Sequence, residues 1–336
     1  MRQIALLTLL LSGTVGSAMA ADPALLNLVM PDAKVLAGVN VTSASISPLG
    51  QFIISKIGLN GQDGQKFIAA TGFNPLQDVT EILAATSADP ANPSGLILAS
   101  GTFPVAKVTA ALSGKPNASV QTYDGATLIT DINPKEKVPH AVAFVGTTVA
   151  VAGDLTSVKA ALDRIANPAS IDPALAVQVK QLSGTEDEWL VSSASIASLL
   201  PASVTAGAKG AAAQVLPLLS SIQSFDGGVK FGTNVAFSGE VATSSAQNAA
   251  ALQAVVKLSL ALASSYQGAN NPELQELLQL LQSLQVTVSG QSVDLALSIP
   301  ESQLETLVNS AQTQLKPVAA RRNGGEPQNN EIRSGR

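Results

Sequence analysis

The 336-residue chain has no cysteine, one histidine, one tryptophan and two tyrosines, and only 13% of it is charged. Without cysteine there can be no disulfide, thiolate zinc site, iron–sulfur cluster or cysteine nucleophile. With His140 alone, no pair of imidazoles from one chain can hold a metal, and a serine hydrolase would have a single candidate base. There is no Gly-x-Ser-x-Gly elbow and no Ser-x-x-Lys pair. Gly58-x-x-Gly61-x-x-Gly64 has the wrong spacing for a dinucleotide loop. Asn60-Gly-Gln-Asp-Gly lacks the alternating ligands and closing glutamate of a calcium loop. Paired carboxylates could still hydrolyse a glycoside, but such sites need aromatic platforms for sugar, and aromatics make up only 3% of the chain. No residue is therefore assigned as catalytic, cofactor-binding or metal-binding, no cofactor is expected, and the ligand-binding residues are left unknown. The net charge of −5 and the lack of a basic stripe exclude a nucleic-acid partner.

What the chain does have is apolar: 46% of its residues are hydrophobic, enough to build a large core. Residues 1–20 read as a signal peptide, with Arg2 at the start, an apolar Ile4–Leu11 and a small-x-small motif at Ala18-Met19-Ala20. That apolar stretch is too short to span a bilayer. The reading predicts a secreted or periplasmic bacterial protein that starts at Ala21 and has no transmembrane segment after processing. The body from Ala21 to Ala320 carries 14 basic and 22 acidic residues, a net −8. Residues 321–336 (RRNGGEPQNNEIRSGR) have one aliphatic side chain, Ile332, too little to offset the entropy of ordering them, so a disordered tail is expected.

Between these ends the sequence alternates hairpins and helices. Val35–Val41 reads as a strand, and Ser43, Ser45 and Ser47 before Pro48 signal a helix start. Asp63–Ala70 reads as a helix closed by Gly72, and Val79–Thr86 and Gly95–Gly101 read as strands. Pro104 opens a helix, Asp124-Gly125 turns a hairpin, and Asp154 caps the helix Leu155–Ile165. In the second half, Ser192–Ile196 echoes Thr42–Ile46, hairpins form about residues 232–234 and Gly290, and Ser298-x-x-Glu301 reads as a capping box. The pattern predicts an α+β fold of antiparallel hairpins with helices on one face, built by internal duplication. The units are 21–166 and 186–320, with 167–185, which contains a Pro-flanked short helix at Asp172–Leu182, as a connector. Glu186-Asp187-Glu188 is read as solvated. The helix Ser244–Ser265 is apolar nearly all round and is expected to be buried; a cavity beneath it and the leucine-rich Pro272–Leu284 is the alternative.

Four segments carry a resemblance: Phe67–Ile82 (FIAATGFNPLQDVTEI), Leu98–Val108 (LASGTFPVAKV), Tyr123–Leu128 (YDGATL) and Val142–Arg164 (VAFVGTTVAVAGDLTSVKAALDR). Over residues 31–164 they resemble a loose family of exported bacterial proteins of unknown function. The resemblance implies a shared fold, and no catalytic residues come with it. The functional expectation is a non-catalytic exported protein that binds an unknown protein or envelope component. A carrier of an apolar ligand in a cavity of the second unit is the alternative, and a carboxylate-based hydrolase the remotest.

Overall fold

The computed structural model describes residues 21–51, 62–89, 94–113, 117–131, 138–196, 211–265 and 278–306. Residues 1–20, read above as a signal peptide, residues 321–336, read as a tail, and most of Pro272–Leu284 lie outside these. Among the described residues, twelve strands form one sheet in the order β11-β12-β10-β9-β8-β1-β2-β3-β7-β6-β5-β4, and every neighbouring pair is antiparallel. The strands are β1 (Val35–Asn40), β2 (Val79–Thr86), β3 (Gly95–Gly101), β4 (Ala118–Tyr123), β5 (Ala126–Asp131), β6 (His140–Val145), β7 (Val149–Asp154), β8 (Glu188–Ser192), β9 (Ile222–Lys230), β10 (Asn234–Thr243), β11 (Gln285–Ser289) and β12 (Ser292–Pro300). Helices interleave with them: α1 (Pro23–Leu26), α2 (Val41–Ile46), α3 (Gln62–Thr71), α4 (Pro75–Asp78), α5 (Val105–Leu112), α6 (Leu155–Ala166), α7 (Pro173–Ser183), α8 (Ala211–Ser220) and α9 (Ala246–Ser265). The fold is α+β. Strand β1 pairs with β8 and joins the two halves into one sheet. Outward from that seam the succession is β1, β2, β3, β7, β6 on one side and β8, β9, β10, β12, β11 on the other, with β5 and β4 extending the first.

The local signals act as their chemistry requires. The β4–β5 hairpin turns through Asp124 and Gly125, at φ 44° and 78°, and Gly146 and Gly290 turn β6–β7 and β11–β12 at φ 59° and 61°. The Asp154 carboxylate accepts the Ser157 N–H at 2.8 Å and opens α6. Asp172 does the same for α7 through Ala174, and Asn40 for α2 through Ser43. At φ 68°, Gly72 follows α3 and donates its N–H to Ile68.

Strand register separates the two faces of the sheet in its first half. One cross-strand row runs Trp189, Gly38, Leu83, Leu98, Val151, Ala143 and Leu128. This row is buried beneath α1, α6 and α7 in the main core, which includes Leu25, Val158, Leu162, Leu175 and Val179. The opposite face meets α2 and α5 through a second cluster containing Val41, Phe103, Val108, Ile129 and Phe144, and α3 packs on α5. Helices thus cover both faces here, where the sequence reading expected one. The reason is that β5, β6 and β7 carry apolar residues at successive as well as alternate positions, and each face needs cover.

Four other expectations change. The 167–185 stretch contains α7, whose Leu175 and Val179 are buried in the main core, so it is packed within the fold and does not merely connect. Asp187 is not solvated: it is 4% exposed, its Oδ1 lies 3.0 Å from Lys230 Nζ, and its Oδ2 accepts the Phe231 N–H at 2.8 Å. A charge between two exposed-type glutamates goes inside because β8 begins at Glu188 and the chain enters the sheet there. Ser298 lies within β12, opposite Ala236, and does not cap the helical residues 301–306. Instead Glu301 Oε1 accepts the Leu49 N–H from the first half at 2.6 Å. Helix α9 is only partly covered: Ala249 and Leu252 are buried, whereas Leu258 is 60% and Leu262 63% exposed. Leu284, at the end of the second leucine-rich stretch, packs against the same cluster as Leu252.

Candidate functional site

A groove of about 1600 Å³ opens on the second face of the first half. Its floor is the cross-strand row next to the buried one: Ala37, Ala84, Ile97, Ala152, Val142 and Ile129. The space comes from side-chain size. Leucines and valines on β2, β3 and β7 point into the main core, while the intervening Ala84, Ala99, Ala150 and Ala152 leave the other face shallow. No described side chain covers the middle of the floor fully, and Ile97 stays 57% exposed there.

One end of the groove is roofed. Helices α3 and α5 bring Phe67, Val108 and Leu112 over the sheet. Phe67, Phe73, Phe103 and Phe144 form an unbroken chain of ring contacts, with successive centroids 6.4, 5.5 and 5.5 Å apart. Half of the eight phenylalanines in the chain are gathered there, and edge-on and tilted contacts of this kind add to their burial.

The other end is polar. His140, Val142 and Phe144 alternate along β6 onto the groove face, and Asp154, Ala152 and Ala150 do so along β7, with His140 registered opposite Asp154. Thr86, Ser94, Asn117, Thr156 and Ser157 complete that rim. Among the described residues that line the groove, Asp154 is the one acidic residue, and no lysine or arginine is among them. Its Oδ1 is already engaged as the α6 cap. His140 stands at the start of the apolar β6 and is exposed.

Its described lining offers apolar contact along the floor and hydrogen-bonding groups at the rim. No group of three or more His, Asp or Glu among the described residues could hold a metal ion. The ionisable groups displaced from their ordinary behaviour lie elsewhere. Burial raises the Glu81 carboxyl from 4.5 to about 6, against the hydrogen bond it accepts from the Asp22 N–H at 3.0 Å. Burial likewise raises Glu188, with the charge of Asp187 adding to it, and Asp226, with Glu240 adding and a hydrogen bond from Gln178 opposing.

The sequence reading gave a cavity beneath α9 and Pro272–Leu284 as the alternative to burial of that helix, and most of Pro272–Leu284 lies outside the described residues; the groove described here is in the first half. The overlooked signal is clearest in Val149-Ala150-Val151-Ala152, where valines face the core and alanines the groove, with Ala84 and Ala99 on the same face of β2 and β3. A strand that is apolar at every position but small on one side has room on that side.

No protein-family model matches the chain, and no curated protein matches it. Among solved structures, crystal form IV of TP0453 is a distant neighbour at 14% identity and TM-score 0.49, covering 87% of this chain and 97% of that one. Crystal form III of the same protein matches at 13% identity and TM-score 0.47, covering 85% and 97%.

Proposed function

We propose that this protein is an exported, non-catalytic binding protein that carries an apolar molecule in the groove of its first half. The observation that supports this is the open row Ala37, Ala84, Ile97, Ala152 and Val142, an apolar floor that ends at the buried Ile129 beside a phenylalanine cluster. Folded proteins seldom leave a contiguous apolar surface of this size open without a ligand or partner for it. The scarcity of nucleophiles with a partner base fits binding rather than turnover. Export rests on the signal-like residues 1–20, and Ala21, the residue after the expected cut, is buried in the main core. The matching strand order on either side of the β1/β8 seam supports an origin by internal duplication, with units at 21–166 and 186–320.

The test uses the mature protein and the uncharged fluorophore N-phenyl-1-naphthylamine. Saturable binding that is lost in Ala152→Trp, with thermal stability kept, is the expected result. Absence of saturable binding to the unmodified protein, or equal binding to both proteins, overturns the reading.

A second reading, an interaction module of the bacterial envelope, is favoured by the apolar ridge of α9, where Ala250, Ala254, Leu258 and Leu262 are exposed with Lys257 as the nearby charge.

A further inference from the structure

We infer that cleavage at the Ala20–Ala21 bond creates an α-ammonium group on Ala21 whose partner in the fold is the carboxylate of Glu81, so that processing itself completes an ion pair. The inference goes beyond the groove and rests on the export reading alone. Hydrolysis, with water as reactant and a peptidase of the export route as catalyst, breaks the bond between the Ala20 carbonyl carbon and the Ala21 nitrogen. The hydroxyl of water goes to the carbon and its proton to the nitrogen. At neutral pH the new acid then gives up a proton and the new amine takes one. A neutral peptide N–H is thereby replaced by a cation.

The residues after the cut fix where that cation stands. Ala21 belongs to the main core, which also holds Leu25 and Val29. The Asp22 N–H donates to Glu81 Oε2 at 3.0 Å, and the Asp22 carboxylate accepts the Ala24 N–H at 2.9 Å. The Asp22 carbonyl accepts the N–H groups of Leu25 and Leu26 in α1. Chain ends commonly fray, but the second residue of the processed chain is held at its N–H, its carbonyl and its side chain. Consecutive backbone nitrogens are at most about 3.7 Å apart, so the Ala21 nitrogen lies within about 7 Å of Glu81 Oε2 and rotation of the glutamate side chain closes the rest. Glu81 stands on β2 opposite the uncharged Asn40 of β1 and Ser100 of β3, and α1 carries no charge. Asp187, whose carbonyl accepts the Asn40 N–H, is itself paired with Lys230. Among the described residues the charge that acts on Glu81 is the Asp22 carboxylate, and with Ala21 in a peptide bond burial raises the Glu81 carboxyl from 4.5 to about 6. A half-buried acid beside a second acid is favoured in its ionised form by a nearby cation, and processing supplies one.

The experiment recovers the protein from an expressing bacterium, identifies its first residue by mass, and compares it with the same protein acetylated at its terminal amine. Acetylation restores a neutral amide at Ala21, so the comparison needs no substitution. NMR titration follows the Glu81 carboxyl and the terminal amine. The expected result is a chain that begins at Ala21 and in which Glu81 titrates about one pH unit lower than in the acetylated form, still above the ordinary 4.5. Glu81→Gln keeps an oxygen that can accept the Asp22 N–H. It should lower the pKa of the terminal amine by about the same one pH unit, because the coupling is reciprocal. At pH 7 the folded-to-unfolded ratio of the free-amine protein should exceed that of the acetylated one by about tenfold, and Glu81→Gln should abolish this advantage. Equal titration of Glu81 in the two forms overturns the inference and leaves the export reading standing, and so does a cut at any other bond. A chain that retains residues 1–20 removes both.

Discussion

Gly38 and Trp189 face each other across the β1/β8 seam that joins the two halves of the sheet, and a Cβ placed on Gly38 would lie 2.3 Å from Trp189 Cε2. The single tryptophan thus lies over the backbone of the partner strand, and the glycine is required for that approach. Gly38→Ala is expected to destabilise the protein by about 1–3 kcal/mol through overpacking. In Trp189→Leu the same substitution should cost much less. Urea unfolding of the two single variants and the double variant measures the coupling, and additive effects would contradict the contact.

The Asp187–Lys230 pair is asymmetric, since Asp187 is buried and Lys230 is 42% exposed. Asp187→Ala leaves the Phe231 N–H without its acceptor and should cost about 2–3 kcal/mol. Lys230→Met, which leaves a carboxylate still held by that N–H, should cost less. Denaturant midpoints of the two variants order them, and a larger loss for Lys230→Met would show that the lysine, not the buried N–H, dominates.

Stability should fall as pH rises from about 4.5 to 6. Glu81 has its carboxyl raised by burial to about 6 in the folded protein, so in that window the unfolded chain releases its proton while the folded one retains it. The unfolded state then binds fewer protons, and ΔG of unfolding decreases with pH until the folded group also ionises. Glu188 and Asp226, both raised chiefly by burial, act in the same direction. Calorimetric melting temperatures are expected to decline over this window and to level off above it. Glu81→Gln should flatten the decline, and an unchanged slope in that variant would remove Glu81 from the account.

The exposed ridge of α9 should contribute to association rather than folding. Leu258→Glu and Leu262→Glu, at sites 60% and 63% exposed, are expected to change stability by less than about 0.5 kcal/mol. If the ridge meets a partner or a second copy, sedimentation or pull-down from envelope extracts should register the loss. A large loss of melting temperature would place these leucines in the core.

The Asp154 cap offers a simpler check on α6. Asp154→Ala should cost about 1 kcal/mol, and Asp154→Asn much less, measured by thermal unfolding. Equal losses would mean that the charge, not the hydrogen bond to Ser157, matters.

Much of the architecture was written locally. Asp124-Gly125, Gly146 and Gly290 specify their hairpins because each turn needs positive φ, and Asp154 and Asp172 specify their helices because a side-chain oxygen reaches the first free N–H groups. Strands β2 and β3 run over the residues their apolar pattern indicates. Helix α8 escaped notice because its Ala-rich sequence with Pro217 inside has neither cap nor clean periodicity.

What only the tertiary structure decided depends on residues far apart in the chain. Glu301 reads as half of a capping box but binds Leu49, because the sheet carries the end of β12 to the first half. Asp187 reads as one of three surface acids but is buried, because Lys230 and the Phe231 N–H arrive from a hairpin more than forty positions away. The groove is the same kind of fact. Its alanines are visible in sequence, but whether a helix fills the space above them depends on where α3 and α5 cross the sheet, and they cover only the Phe144 end. Local chemistry sets turns, caps and strand faces because those interactions act within a few residues; burial, pairing and empty space are set by which distant faces meet.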